Sequence, residues 1–201
     1  MIDRTSPKPK GKAAVPMWKL LQTVFDGVQC ERRFPWLALP RGDEAMEIEA
    51  ETRQALIEHC RSTQATQMNK KKRECSPELL ALKLTNPPRP KLEFDFFVPD
   101  LNLAFEYDER QHFTLERAAS LEAYRDKVRL YFDAEVWIEK CRRTKCADTH
   151  PIWRDWQRAY RDAVRDISAA KNGVRLIRYA YDNLPTVDEL CRLSVANRAP
   201  A

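Results

Sequence analysis

The sequence predicts an α/β protein: a small mixed sheet of about four strands with helices on both faces. Two runs, LEFDFFV and NLAFEYD, alternate with period two, are rich in Phe, Leu and Val, and are separated by Pro-Asp-Leu, so they read as the strands of a hairpin. Long segments with apolar residues at helical spacing lie on either side of the hairpin. A further strand-like run, VRLIRY, follows Asn172-Gly173 late in the chain.

Composition sets the outer limits. The chain has 201 residues, which is one domain's length and enough to bury a sizeable core. Hydrophobic residues make up 43% and charged ones 32%, a globular balance rather than a disordered one. Lys and Arg number 35 against 30 acids, a net charge of +5 with a pI near 8.9. That mild excess is compatible with nucleic acid without requiring it. No apolar run approaches a membrane span and no signal-like apolar segment opens the chain, so the expectation is an intracellular protein without a membrane partner. Six cysteines in that setting are expected to be reduced thiols.

Residues 1–15 carry Arg4, Lys8, Lys10 and Lys12 against Asp3, with Pro and Gly between them, and read as a flexible basic arm. Residues 16–184 then form one domain. Pro16 opens an amphipathic helix with Met17, Leu20, Leu21, Val24 and Phe25 on its apolar face. Asp26-Gly27 ends it, and residues 28–34 read as a first strand, with Glu31 as a surface glutamate within reach of a site rim. Asp43 is a candidate cap for a long helix whose first turns are acidic and whose end carries Arg61. Lys70, Lys71, Lys72 and Arg73 form the densest positive run in the chain, either a phosphate-contacting loop or a solvated one. Ser76-Pro77-Glu78 starts a short helix through Leu84, and a Pro-rich stretch delivers extended chain to the hairpin.

With the hairpin turn at Pro99 to Asn102, Val98 pairs with Leu103, Asp95 faces Glu106 and Glu93 faces Asp108. Leu92, Phe94, Phe96, Val98, Leu103, Phe105 and Tyr107 then share one face, and the four acids share the other with Phe97 and Ala104. Two carboxylates about 5 Å apart repel by roughly 3 kcal/mol at an effective dielectric near 20. A divalent cation with oxygen ligands resolves that conflict. An acidic, water-covered face paired to nearby Arg or Lys is the competing reading.

After His112 the chain is mostly helical: Leu115 through Lys145 lacks Gly and Pro, and Leu121, Tyr124, Val128, Tyr131 and Phe132 keep helical spacing. Cys141, Cys146 and His150 stand at C-x4-C-x3-H spacing, ligand types that zinc accepts. A fourth ligand would have to come from Cys60, Cys75 or His59, and ordinary packed or surface thiols are the plainer reading. Pro151 starts another helix, whose apolar face is Ile152, Trp153, Trp156, Tyr160, Val164 and Ile167, and Gly173 stops it ahead of the last strand. Asp162 and Arg165, three apart, share a helix face. Residues 185–201 form a tail with one short helix, VDELCRLS.

Asp95, ten residues, Glu106-Tyr107-Asp108, then Gln111-His112 resembles the core of the PD-(D/E)XK nuclease superfamily. It is most similar to the branch related to very-short-patch repair endonucleases and phage-type homing endonucleases. Asp162 with Arg165, Asn172-Gly173 and Leu176-Ile177-Arg178-Tyr179 extend the similarity. Two departures stand out: Glu109 occupies the position usually held by Gly, and Asp108 replaces the superfamily's Lys, as is usual in this branch.

The resemblance implies a restriction-endonuclease-like fold with helical insertions at 39–90 and 114–150. It also implies a Mg²⁺- or Mn²⁺-dependent endodeoxyribonuclease of repair, recombination or homing type, whose partner is DNA. Asp95, Glu106 and Asp108 are then expected to hold the metal, Gln111 to position water or phosphate, and His112 to act as general acid or base. Arg165, beside Asp162, would offset charge building on phosphorus, and Arg110 joins Lys70 to Arg73 as a nucleic-acid contact. The alternative is a catalytically degenerate protein of the same fold that binds nucleic acid or a protein partner.

Overall fold

The computed structural model of the chain describes residues 9, 12–65, 76–87, 91–148, 151 and 153–196. Lys70, Lys71, Lys72, Arg73, Cys75, His150, Ile152 and residues 1–8, 10 and 11 of the basic arm lie outside the described residues, as does the side chain of Asp43.

A four-stranded mixed sheet forms the centre. Its strands β1 (Gln29–Arg32), β2 (Phe94–Val98), β3 (Leu103–Asp108) and β4 (Arg175–Ala180) lie in sequence order. The first three run antiparallel and β4 lies parallel to β3. The hairpin register is the expected one, with Phe96, Phe97 and Val98 opposite Phe105, Ala104 and Leu103. Pro99–Leu101 makes a single 3-10 turn, and Asn102 closes it in the left-handed region at φ 46°, which Asn tolerates better than most residues.

Among the described residues, seven α-helices surround the sheet: α1 (Val15–Val24), α2 (Glu47–Ala65), α3 (Pro77–Thr85), α4 (Leu115–Tyr124), α5 (Ala134–Thr144), α6 (Arg154–Lys171) and α7 (Val187–Ala196). Three apolar clusters tie the layers together. On one face α1 and α7 bury Met17, Leu21 and Leu190 against Phe96, Val98, Leu103 and Phe105. On the other, α2, α3 and α6 bury Leu56, Leu80, Leu84, Trp156 and Tyr160 against Phe97, Ala104 and Leu176. The third joins α4, α5 and α6 through Phe113, Leu121, Tyr124, Ile138, Cys141 and Ile167. No described helix is long and apolar enough to cross a membrane.

Four expectations are corrected. Leu92 and Phe94 do not share a face with Phe96; they pack with Phe97 in the α6-side cluster, where Phe34 and Trp36 stack beside Phe94. The β2–β3 ladder ends at the Phe96–Phe105 pair, and upstream of it β2 is paired on its β1 side alone, through Arg32 and Phe94. Glu93 therefore does not face Asp108: it pairs with Arg33 at 2.8 Å. Within the mostly helical segment Leu115–Lys145, Val128, Tyr131 and Phe132 lie not in a helix, as their spacing suggested, but in the non-helical stretch 125–133 between α4 and α5, where Phe132 packs on Trp137. Finally, α2 starts at Glu47, and a 3-10 turn (Gly42–Glu44) stands where Asp43 was expected to cap it.

Candidate active site

The ladder stops where it does because two carboxylates take its place. Asp95 Oδ2 accepts the backbone N–H of Tyr107 (2.9 Å), and Glu106 Oε1 accepts the backbone N–H of Asp95 (3.1 Å). Each acid thereby satisfies a backbone donor of the other strand and is fixed where the two inner strands, β2 and β3, stop pairing. Both line a polar cleft with Glu31, Glu109, Gln111, His112 and Arg165. Burial, then the charge of Asp95, pushes the Glu106 carboxyl well above the usual range, and burial likewise raises Asp95. Two acids that resist ionising side by side at an open cleft match what a divalent cation with oxygen ligands would relieve.

Glu31 was expected on the surface, yet it lines this cleft. In the β1–β2 register Cys30 pairs with Phe96 and Arg32 with Phe94, which puts Glu31 opposite Asp95. Its φ of 53° lies in the left-handed region, an unfavourable conformation for a glutamate.

The helix α6 supplies the rest of the site. His112 Nδ1 lies 2.9 Å from Asp162 Oδ2, and Arg165 donates from NH1 to Asp162 Oδ1 at 2.9 Å. Arg165 Nε also donates to the Glu93 carbonyl at 3.0 Å and stands 3.7 Å from Glu106 Oε2. Asp162 and Arg165 thus both reach the cluster, one through His112 and one through Glu106. Burial opposes charge on Asp162, but His112 and the guanidiniums of Arg178 and Arg117 hold its carboxyl well below the usual range. An ionised carboxylate only accepts, so the proton of the His112–Asp162 bond belongs on Nδ1. Burial also works against a charged His112, yet the Asp162 carboxylate outweighs it and raises the imidazole.

Asp108 does not join the Asp95–Glu106 cleft, contrary to expectation. It is 2% exposed, and both its oxygens are claimed: Arg178 NH1 donates to Oδ1 at 2.7 Å and Trp137 Nε1 to Oδ2 at 2.8 Å. Arg178 stands opposite Glu106 on the neighbouring parallel strand, which brings its guanidinium within reach of Asp108. Asp108 approaches His112 Nδ1 at 3.6 Å, so it backs the imidazole rather than the cleft acids. Asp108, His112 and Asp162 place ligand atoms within 4.8 Å of one another, a group that could hold a metal ion. There a cation would lie beside the Arg178 guanidinium, whereas the Asp95–Glu106 pair faces an open cleft.

Gln111 lines the cleft rim, with its Nε2 donating to Glu109 Oε2 at 2.7 Å. Glu109 has φ −65°, which any residue adopts, so the glycine usual at this position is not needed here. Arg110 projects exposed from the same turn. Cys141 is buried among Phe113, Leu121, Tyr124 and Ile138, and burial pushes its thiol up to about 12, opposing the thiolate that zinc needs. Cys146 is only partly buried, and both residues are free thiols.

Beneath the site lies an ionic lattice that sequence reasoning missed. Arg178 Nε donates to Asp166 Oδ1 (2.8 Å), and Arg117 NH2 donates to Asp166 Oδ2 (2.7 Å), with the Tyr124 hydroxyl on the same oxygen. Asp166 and both arginines are 2% exposed or less, so each charge depends on its partners. One clue was available. Asp155, Asp162 and Asp166 recur on the α6 stripe that carries Ala159, Ala163 and Ile167, and acids in an apolar stripe require buried cations.

Compared with protein-family models, with curated proteins and with solved structures, the chain matches none.

Proposed function

We propose that the chain is a metal-dependent endodeoxyribonuclease of PD-(D/E)XK type, using Mg²⁺ or Mn²⁺. The observation that carries this reading is the pair Asp95 and Glu106, charge-frustrated acids at one cleft shared with the His112–Asp162 dyad and Arg165. Asp95 and Glu106 would hold the cation, since hard carboxylate oxygens are its preferred donors. When bound, it supplies a water of lowered pKa and polarises a phosphoryl oxygen.

The chain's own groups do the rest. His112 keeps its Nδ1 proton toward Asp162, leaving Nε2 to take a proton from the attacking water or give one to the leaving oxygen. Asp162 fixes the ring's tautomer and stabilises its cationic form, and Asp108 adds to that field from 3.6 Å. Arg165 places a guanidinium beside the cleft, where negative charge builds in phosphoryl transfer, and its bonds to Asp162 and Glu93 hold it there. Gln111, at the rim, would orient water or phosphate.

A second reading, a nucleic-acid-binding protein with a degenerate site, is favoured by the sequestration of Asp108 under Arg178 and Trp137. Cleavage of plasmid and short duplex DNA with Mg²⁺ or Mn²⁺ separates the two. Loss of cleavage in Glu106→Gln is expected under the first, and no cleavage by wild type under the second.

A further inference from the structure

The cleft is lined by Glu31, Asp95, Glu106 and Glu109, a field that repels phosphate, so a DNA strand entering it needs cations at the edge. Among the described residues, several basic side chains around it are already committed. Arg158 bonds Asp148 and Asp155, Arg142 pairs with Glu122, and Lys140 pairs with Asp182. Arg110, Arg143 and Lys145 are exposed and, among the described residues, carry no acidic partner.

Packing brings these three to the same edge. The backbone N–H of Cys146, next to Lys145, donates to the carbonyl of Phe113, next to His112, at 3.0 Å. Arg158 ties the same two segments together by donating to the Gln111 carbonyl at 2.9 Å and to Asp148 at 2.7 Å. Lys140 lies 5.2 Å from the Phe113 ring, and Arg143, one turn further along α5, continues that helix face. Lys145 itself caps α5 in the left-handed region at φ 48°, where Gly or Asn is the usual residue.

We infer that Arg110, Arg143 and Lys145 form a basic rim that holds the phosphate backbone of duplex DNA where it leaves the cleft. The inference rests on the nuclease reading above and adds the surface by which the substrate is held. It also gives the α4–α5 segment a role, since α5 and its cap supply two of the three cations.

The test measures binding of a labelled blunt duplex to the full chain in EDTA, where cleavage is blocked, across a NaCl series. Each phosphate contact contributes about 0.9 to the log–log salt slope. Arg110→Gln/Arg143→Gln/Lys145→Asn should therefore flatten the slope by about 2.7. Its affinity loss between about 50 and 200 mM salt then shrinks by about 40-fold relative to wild type. Arg192→Gln, on α7 across the sheet, is the control and should keep the wild-type slope. Arg143→Glu alone should weaken binding further than Arg143→Gln, which checks the rim without the triple variant. A triple variant with the wild-type slope, made from a wild type that cleaves when metal is added, overturns the rim and leaves the nuclease reading standing. A wild type that neither binds nor cleaves overturns both.

Discussion

Replacing Asp95 by Asn tests the electrostatics of the cleft without changing its shape. Asn keeps an oxygen to accept the Tyr107 N–H and removes one negative charge beside Glu106. Two carboxylates about 5 Å apart repel by roughly 3 kcal/mol at an effective dielectric near 20, and Arg165, 3.7 Å from Glu106, offsets part of it. A net gain of about 1 kcal/mol for Asp95→Asn in EDTA corresponds to a rise of about 2–4 °C in Tm at this chain length. The sign with pH follows from the raised carboxyls. An acid whose folded pKa lies above its unfolded value loses stability as pH rises through the folded value, so the advantage of the variant should grow as pH rises above the ordinary carboxylate range. Metal reverses the order. At a cation concentration about a hundredfold above Kd, wild type gains about 2.7 kcal/mol, while Asp95→Asn should gain little. Thermal melts of both proteins with and without Mg²⁺ or Mn²⁺ provide the comparison. Equal metal-induced shifts in the two would mean that the acids are a solvated face and would refute the reasoning.

Two further variants probe the layer behind the cleft. Asp162→Asn removes the charge that raises His112, so the acid limb of the pH–rate profile should move to lower pH as overall activity falls; an unmoved limb rules out His112 as the titrating base. The same raised imidazole contributes stability that is complete below its unfolded value of about 6.5 and is lost as pH rises through its folded value. The gap in Tm between wild type and His112→Asn should thus narrow above neutrality, which melts across pH 5 to 9 would show. Arg178→Met leaves Asp108 and Asp166 without their shared cation and should cost about 3–5 kcal/mol in urea denaturation; a loss under about 1 kcal/mol would mean that water replaces the guanidinium.

The hairpin was legible because two local rules agree: period-two alternation, and a Pro-Asp-Leu-Asn turn that fixes register. That register alone brought Asp95 and Glu106 to one edge. The reach of Asp162 and Arg165 followed from helical spacing plus the family resemblance, and both touch the site. Alternation failed at Phe94 because it assumes strands paired on both sides, and here carboxylates replace the hydrogen bonds between β2 and β3 while β1 alone still pairs with β2. It misplaced Asp108 for a related reason. Same-face geometry says where a side chain starts, but the Arg178 and Trp137 that capture it lie 70 and 29 residues away along the chain. Continuous helical spacing also concealed the break at 125–133, since Val128 and Phe132 are packed by a turn as well as they would be by a helix.

The central claim is that Asp95 and Glu106 form a cation-dependent phosphodiesterase centre, and a cleavage assay tests it most directly. Purified full-length protein is incubated with supercoiled plasmid and with intact, mismatched and branched duplexes, in EDTA and then with Mg²⁺ or Mn²⁺. The account predicts that wild type cleaves at least one substrate only when metal is present, and that Asp95→Asn and Glu106→Gln, both still folded by circular dichroism, cleave none. Cleavage that persists in EDTA, or that survives either substitution, would contradict it.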